Sequence, residues 1–196
     1  MSMLHGSINR KAIHTLLQRG ETPLITAAIG RNVESLSMLL DYQAEVNAKD
    51  RAGMTALLHA ALWHHTAVLP LLLTRGADVH AKSHTGKTAL MLAAWPEDFE
   101  GNRSEDLATI ALLIEAGVEI NATDEEGSTA LHHLAQDHYH GSGHEEVARL
   151  LIAAGVDVSI QDRLGRTALS YAEENNRANL VAALHQAASN EGRIDK

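Results

Sequence analysis

Thirteen histidines among 196 residues are the chain's largest reserve of chemically versatile side chains. His138, His140 and His144 cluster in one stretch, and His132 and His133 lie one or two helical turns before them. A second stretch, Trp95 to Ser104, carries Glu97, Asp98 and Glu100. Imidazoles beside carboxylates are the donor set of a transition-metal site such as zinc. Against that reading, His138-Tyr139-His140 runs into Gly141-Ser142-Gly143, a flexible sequence that fixes no ligand geometry. A solvated polar loop is the simpler account, and metal binding through His138, His140 and His144 stands as the alternative function.

Two other motifs fail on their spacing. Gly86-Lys87-Thr88 resembles the end of a phosphate-binding loop, but that pattern needs glycine five residues earlier, where Ala81 stands. His144-Glu145 opens like a zinc-protease helix, but the second histidine would fall at Ala148. Ser142 with Glu145 three residues on is better read as a capping box. The chain has no cysteine, which excludes a disulfide framework, a thiolate zinc site and a cysteine nucleophile. No serine, lysine or carboxylate pair has a spacing that implies catalysis, so no enzyme and no cofactor are expected.

The elements that must carry these residues follow from composition and period. Hydrophobic residues make up 45% of the chain and aromatic residues only 3%, which suits closely stacked helices with an alanine and leucine core. A formal net charge of −9 argues against a polyanion binder and favours partners with basic patches. Met1 to Gly20 has no signal-like apolar stretch, and nothing approaches the roughly 18 apolar residues of a membrane span. The expectation is a cytoplasmic monomer with no nucleic-acid or membrane partner.

Five threonines start versions of one phrase: Thr22, Thr55, Thr88, Thr129 and Thr167. Their steps are 55−22 = 33, 88−55 = 33, 129−88 = 41 and 167−129 = 38, a period of 33 with 8 extra residues in the third unit and 5 in the fourth. The units are 22–54, 55–87, 88–128, 129–166 and a terminal 167–188, preceded by a capping helix within 1–21 and followed by a frayed tail, 189–196. In each, the threonine is fit to cap a short helix whose small residues, such as Ala60 and Ala61, allow close helix approach. A second helix carries paired aliphatics (Leu39-Leu40, Leu72-Leu73, Leu113-Ile114, Leu151-Ile152) and stops at Gly76, Gly117 or Gly155, with Gln43 in that place in the first unit. Pro70 is expected inside the second helix of its unit, where it removes a backbone donor. An extended segment and a polar tip ending in Gly53, Gly86, Gly127 or Gly165 follow.

Helix, turn, helix and hairpin at this period, with Thr22-Pro23-Leu24, Ala27-Ala28 and Gly76-Ala77-Asp78-Val79, resembles the ankyrin repeat. The resemblance covers Thr22 to about Ala188 and implies an all-α solenoid whose hairpin-like loops join helix pairs. The family's Thr-Pro-Leu-His is Thr-Ala-Leu in four units, and its histidine survives only as His132.

The resemblance further implies protein–protein interaction in a concave groove formed by hairpin tips and the ends of the first helices. Mapped residue by residue, that edge contains Leu62, Trp63, Trp95 and Gln136, with Arg51, Met54, His84, Lys87, Glu125 and Arg163 from the tips. Trp63 and Trp95 are the only tryptophans and fall in adjacent units. They are the expected recognition anchors. The competing reading packs Trp95 under the insertion that follows it and Trp63 against Trp95.

Overall fold

The computed structural model describes residues 20–95, 103–136 and 143–194, with side chains described for 20–95, 106–136 and 145–189. Within these residues there are ten helices: α1 (Pro23–Ile29), α2 (Val33–Asp41), α3 (Ala56–Leu62), α4 (Leu69–Thr74), α5 (Ala89–Ala94), α6 (Arg103–Glu115), α7 (Ala130–Gln136), α8 (Gly143–Ala153), α9 (Ala168–Glu174) and α10 (Ala178–Ile194). They alternate as first and second helices of five units. No strand occurs among the described residues, and the hairpins are turns with one isolated antiparallel bridge, Lys82 to Thr88. None of the described helices is long and apolar enough to cross a membrane.

Each first helix starts where its threonine caps it. The hydroxyls of Thr22, Thr55, Thr88, Thr129 and Thr167 accept from the amides of Ile25, Leu58, Met91, His132 and Ser170 at 3.2–3.4 Å. One of the orphan N–H groups of each helix start is thereby satisfied. The first helices then pack in an unbroken row, α1 on α3, α3 on α5, α5 on α7 and α7 on α9. Ala28, Ala60, Ala61, Ala94, Ala135 and Ala172 lie buried along that row, where the small side chain lets neighbouring backbones approach. All six residues of α5 are buried, since it has a unit on each side.

The second helices form the outer row, α4 on α6, α6 on α8 and α8 on α10. Of each aliphatic pair one member is buried (Leu40, Leu72, Leu113, Leu151) and its neighbour packs part-exposed against the core. Pro70 lies inside its helix, as expected, but in the first turn: α4 begins at Leu69, so the missing N–H of the proline leaves no ladder bond unmade. The last helix runs on to Ile194, past the point near Ala188 where a frayed tail was expected. The proposed N-terminal helix, 1–19, lies outside the described residues, as do 96–102 and 137–142 of the two insertions.

Gly76, Gly117 and Gly155 end second helices with φ of 83–87°, and a Cβ on any of them would meet nothing within 4 Å. Glycine is wanted there for conformation alone. Gln43 adopts the same left-handed backbone, φ 62°, with a side chain attached, which costs about 1–2 kcal/mol. Gln43→Gly is therefore expected to raise the unfolding free energy by about 1 kcal/mol and Gly76→Ala to lower it by a similar amount, both measured by urea denaturation monitored by circular dichroism.

Candidate functional site

The concave wall is built from one device repeated at a fixed spacing. Asp50 Oδ1 accepts the amides of Ala52 and Met54 at 2.8 Å, and its Oδ2 lies 2.9 Å from His59 Nε2. Asp124 does the same with Glu126, Ser128 and His133, and Asp162 with Leu164, Arg166 and the Tyr171 hydroxyl. Each aspartate stands five residues before its threonine and each ring four after it, nine residues apart in all three units. One oxygen thus closes the hairpin tip and the other fastens that tip to the first helix. Around the third capping threonine, Thr88, these places hold Ser83 and Leu92: Ser83 Oγ accepts one turn amide, that of Lys87, and shares a hydrogen bond with the Thr85 hydroxyl, and Leu92 is buried.

Neighbouring tips are joined in a ladder. The amides of His84, Glu125 and Arg163 donate to the carbonyls of Ala52, Thr85 and Glu126 of the preceding tip, at 2.9, 3.1 and 2.9 Å. Lys49 Nζ and Lys82 Nζ donate to the carbonyls of Lys82 and Thr123, one unit further on. On the other side of the first helices, His65 Nδ1 meets the Ala28 carbonyl at 2.8 Å, while Asn175 and Arg177 donate to the Ala135 and Leu134 carbonyls. Carbonyls near the ends of α1 and α7 are satisfied in this way from the next unit.

Between the tips of units two to four and the first helices of units four and five lies an open groove of about 540 Å³. Thr85 and Lys87, then Asp124, Glu126 and Ser128, then Asp162, Arg163 and Leu164 line its tip side. His133, Gln136 and Tyr171 line its helix side. Lys87 Nζ sits 4.6 Å over the Trp95 ring, and Trp95 lies tilted on His133 with centroids 5.3 Å apart. Arg166 covers Tyr171 in the same manner at 4.8 Å and pairs with Glu174. The residues before Thr88 and Thr167 therefore fold back over the wall.

Electrostatics in the groove are set by burial. His133 is pushed below its ordinary value of 6.5 by burial, which outweighs the raising effect of the Asp124 hydrogen bond. It is a neutral imidazole donating Nε2–H to a carboxylate, not half of an ion pair. Burial raises the Asp162 carboxyl, but the Tyr171 hydroxyl and the amides of Arg166 and Leu164 together leave it below its ordinary 3.8.

Of the expected recognition residues, Lys87, Gln136 and Arg163 meet in this groove, and Trp95 reaches it through Lys87 and His133. Trp63 caps α3, 40% exposed, and pairs with no other ring among the described residues; Leu62 is half-buried against the core. Arg51, His84 and Glu125 lie exposed on the tip edge. Met54 does not belong to the surface: it is 7% exposed and part of the core, because the position before the threonine turns inward. His132 and His133 are likewise buried and engaged. His132 Nδ1 accepts from the Thr129 amide and hydroxyl while its Nε2 donates to the Arg166 carbonyl, which ties the cap to the next tip. His138, His140 and His144 fall outside the described side chains, and among those described no group of three potential ligands could hold a metal. The aspartate-to-ring ties were missed in the sequence, although the nine-residue spacing, repeated three times, was there to find them.

A double-mutant cycle tests the tie. Asp124→Ser removes the carboxylate that accepts three hydrogen bonds and is expected to cost about 2–4 kcal/mol; His133→Leu strands a buried carboxylate oxygen and costs about 2 kcal/mol. Asp124→Ser with His133→Leu copies the Ser83 and Leu92 pair and should lose about 1–2 kcal/mol less than the summed single losses. Because the folded pKa of His133 is lowered, the unfolded chain binds the proton more readily. The stability it confers is therefore complete above pH 6.5 and is lost as pH falls from 6.5 through the folded value. Urea midpoints measured across that range should fall more shallowly in the double variant.

The model of the ankyrin-repeat family, described as ankyrin repeats in three copies, matches residues 2–83 and again residues 90–195. The two matches together span nearly the whole chain, and ankyrin repeats are in general protein–protein interaction modules. With the five capped helix pairs, the tip ladder and this match in agreement, the chain belongs to the ankyrin-repeat family.

Proposed function

We propose that this chain is a non-enzymatic interaction module that holds a partner protein in the groove over units two to five. The observation that carries the reading is the groove itself: about 540 Å³, open, and edged by Lys87, Glu126, Gln136 and Arg163 beside the exposed Leu164. Polar groups of both signs around aromatic and aliphatic surface suit a patterned protein surface rather than a uniform polyanion. Trp95 supplies the anchor, held in one orientation between Lys87 and His133, so little side-chain freedom is lost when a partner covers it. Trp63, Arg51, His84 and Glu125 extend the surface along its edge. A cytoplasmic monomer remains our expectation for the chain's setting.

The test uses a partner recovered from native lysate by affinity capture. Trp95→Ala with Lys87→Glu is expected to weaken its binding by at least about 2 kcal/mol, roughly thirtyfold, with the helical spectrum retained. Met38→Ala, on the outer helix α2, should leave affinity unchanged. Equal affinities for both variants would overturn the groove assignment.

A further inference from the structure

The tip ladder has a regular rung, and its last rung is empty. At the first three tips the carbonyl three residues before the threonine receives the next tip's amide: Ala52 from His84, Thr85 from Glu125, Glu126 from Arg163. The corresponding carbonyl of the fourth tip is that of Leu164, and no described residue donates to it. The glycines agree. A Cβ on Gly53 would lie 2.7 Å from the His84 amide nitrogen, one on Gly86 2.9 Å from that of Glu125, and one on Gly127 3.1 Å from that of Arg163. On Gly165 the same atom would meet nothing within 4 Å. The Leu164 side chain there is 77% exposed, the most exposed aliphatic side chain among the large hydrophobics at the surface.

What fits the rung is visible in the two rungs before it. Over Gly86 lie the backbone of Asp124 and the amide of Glu125; over Gly127 lie those of Asp162 and Arg163. The incoming group is a tight turn in which an aspartate closes the turn and the next residue offers its N–H. Arg163 is exposed at the edge where that next residue's side chain would sit, which selects an acidic one, and Leu164 selects an apolar residue after it. A second copy of the chain cannot supply this turn, because the equivalent amides of its later tips are bound within it and its first tip at Arg51 already lies against Gly20.

We infer that the open fourth tip, with the Leu164 carbonyl, Arg163 and Gly165, is a docking rung for a partner protein's acidic surface turn of the form Asp-Glu-apolar-Gly, seated as Asp124-Glu125 is seated on Gly86. The inference names the partner feature for the groove proposed above and rests on that reading. The rung continues a contact already made three times within the molecule, so the seat is preformed and needs no rearrangement.

The experiment titrates the full chain, labelled for amide NMR, with a backbone-cyclised peptide bearing the turn Asp-Glu-Leu-Gly. Saturable shifts centred on 163–166 are expected. A peptide N-methylated at the glutamate amide should bind about tenfold more weakly, since it lacks the one donor the rung requires. Arg163→Glu, a surface change that leaves the fold intact, should reverse the preference toward the peptide with lysine in place of glutamate. Absent or scattered shifts, equal binding of the N-methylated peptide, or shifts at 163–166 that appear on raising protein concentration alone would each overturn the rung. The groove reading is judged separately: a captured partner that responds to Trp95→Ala with Lys87→Glu, together with a cyclic peptide that gives no shifts at 163–166, would leave the groove standing and remove the rung.

Discussion

At three of the four hairpins a single carboxylate makes the tip and the following helix one body. Asp50, Asp124 and Asp162 each use one oxygen to absorb two turn amides and the other to hold a ring from the helix that follows. The tip alone would be a solvated turn with unsatisfied N–H groups, and the helix alone is only seven residues long, too short to persist by itself. Fastened together they present a fixed corner, and the next unit's tip and helix can then dock on it. The ladder of tip amides and the row of buried alanines continue through the one hairpin that lacks this corner, where the neighbours on both sides hold the tip. Burial makes the arrangement directional: a neutral His133 donates to a carboxylate, and an imidazolium would have to be carried into a site that disfavours charge.

Most of the frame was legible because it depends on local chemistry. The threonine period, the caps, the paired aliphatics and the glycines at left-handed positions each declare themselves within a few residues, and all five units carry the threonine cap. Less of the site was legible. Met54 was grouped with exposed tip residues because its neighbours in sequence are polar, yet its position turns onto the first helix, as Lys87 and Arg166 do with their longer side chains. Pro70 falls within α4 as its sequence position indicated, and the helix start at Leu69 puts it in the first turn, where its missing donor costs no ladder bond. The histidines promised ligands, but the three described pairs and caps show what a repeat uses an imidazole for: a ring nitrogen that reaches from helix to tip, cap or preceding unit.

Side chains of one residue type serve opposite ends here. Lys49 and Lys82 are consumed by the scaffold, each amine donating to a carbonyl one unit on, whereas Lys87 lies over Trp95 at the wall of the groove. Counting basic tips along the array therefore overstates the charge offered to a partner. What reaches the groove is a sparse set of groups, Lys87, Glu126 and Arg163 among them, arranged by the scaffold's own register.

The hairpin with Ser83, and Leu92 across from it, in place of an aspartate and a ring, has a consequence for motion. Its tip is closed by a hydroxyl that takes one amide, and no carboxylate ties it to α5; its neighbours, the Lys82–Thr88 bridge and Lys87 over Trp95 hold it instead. In an array where each unit touches only the next, a local opening stays confined to the place where it begins. Lys87 belongs to that tip and Trp95 lies beneath it, so the joint without an aspartate is also the one that carries the cation and shields the tryptophan. A local opening there would alter the groove's mouth while leaving the helices behind it in place.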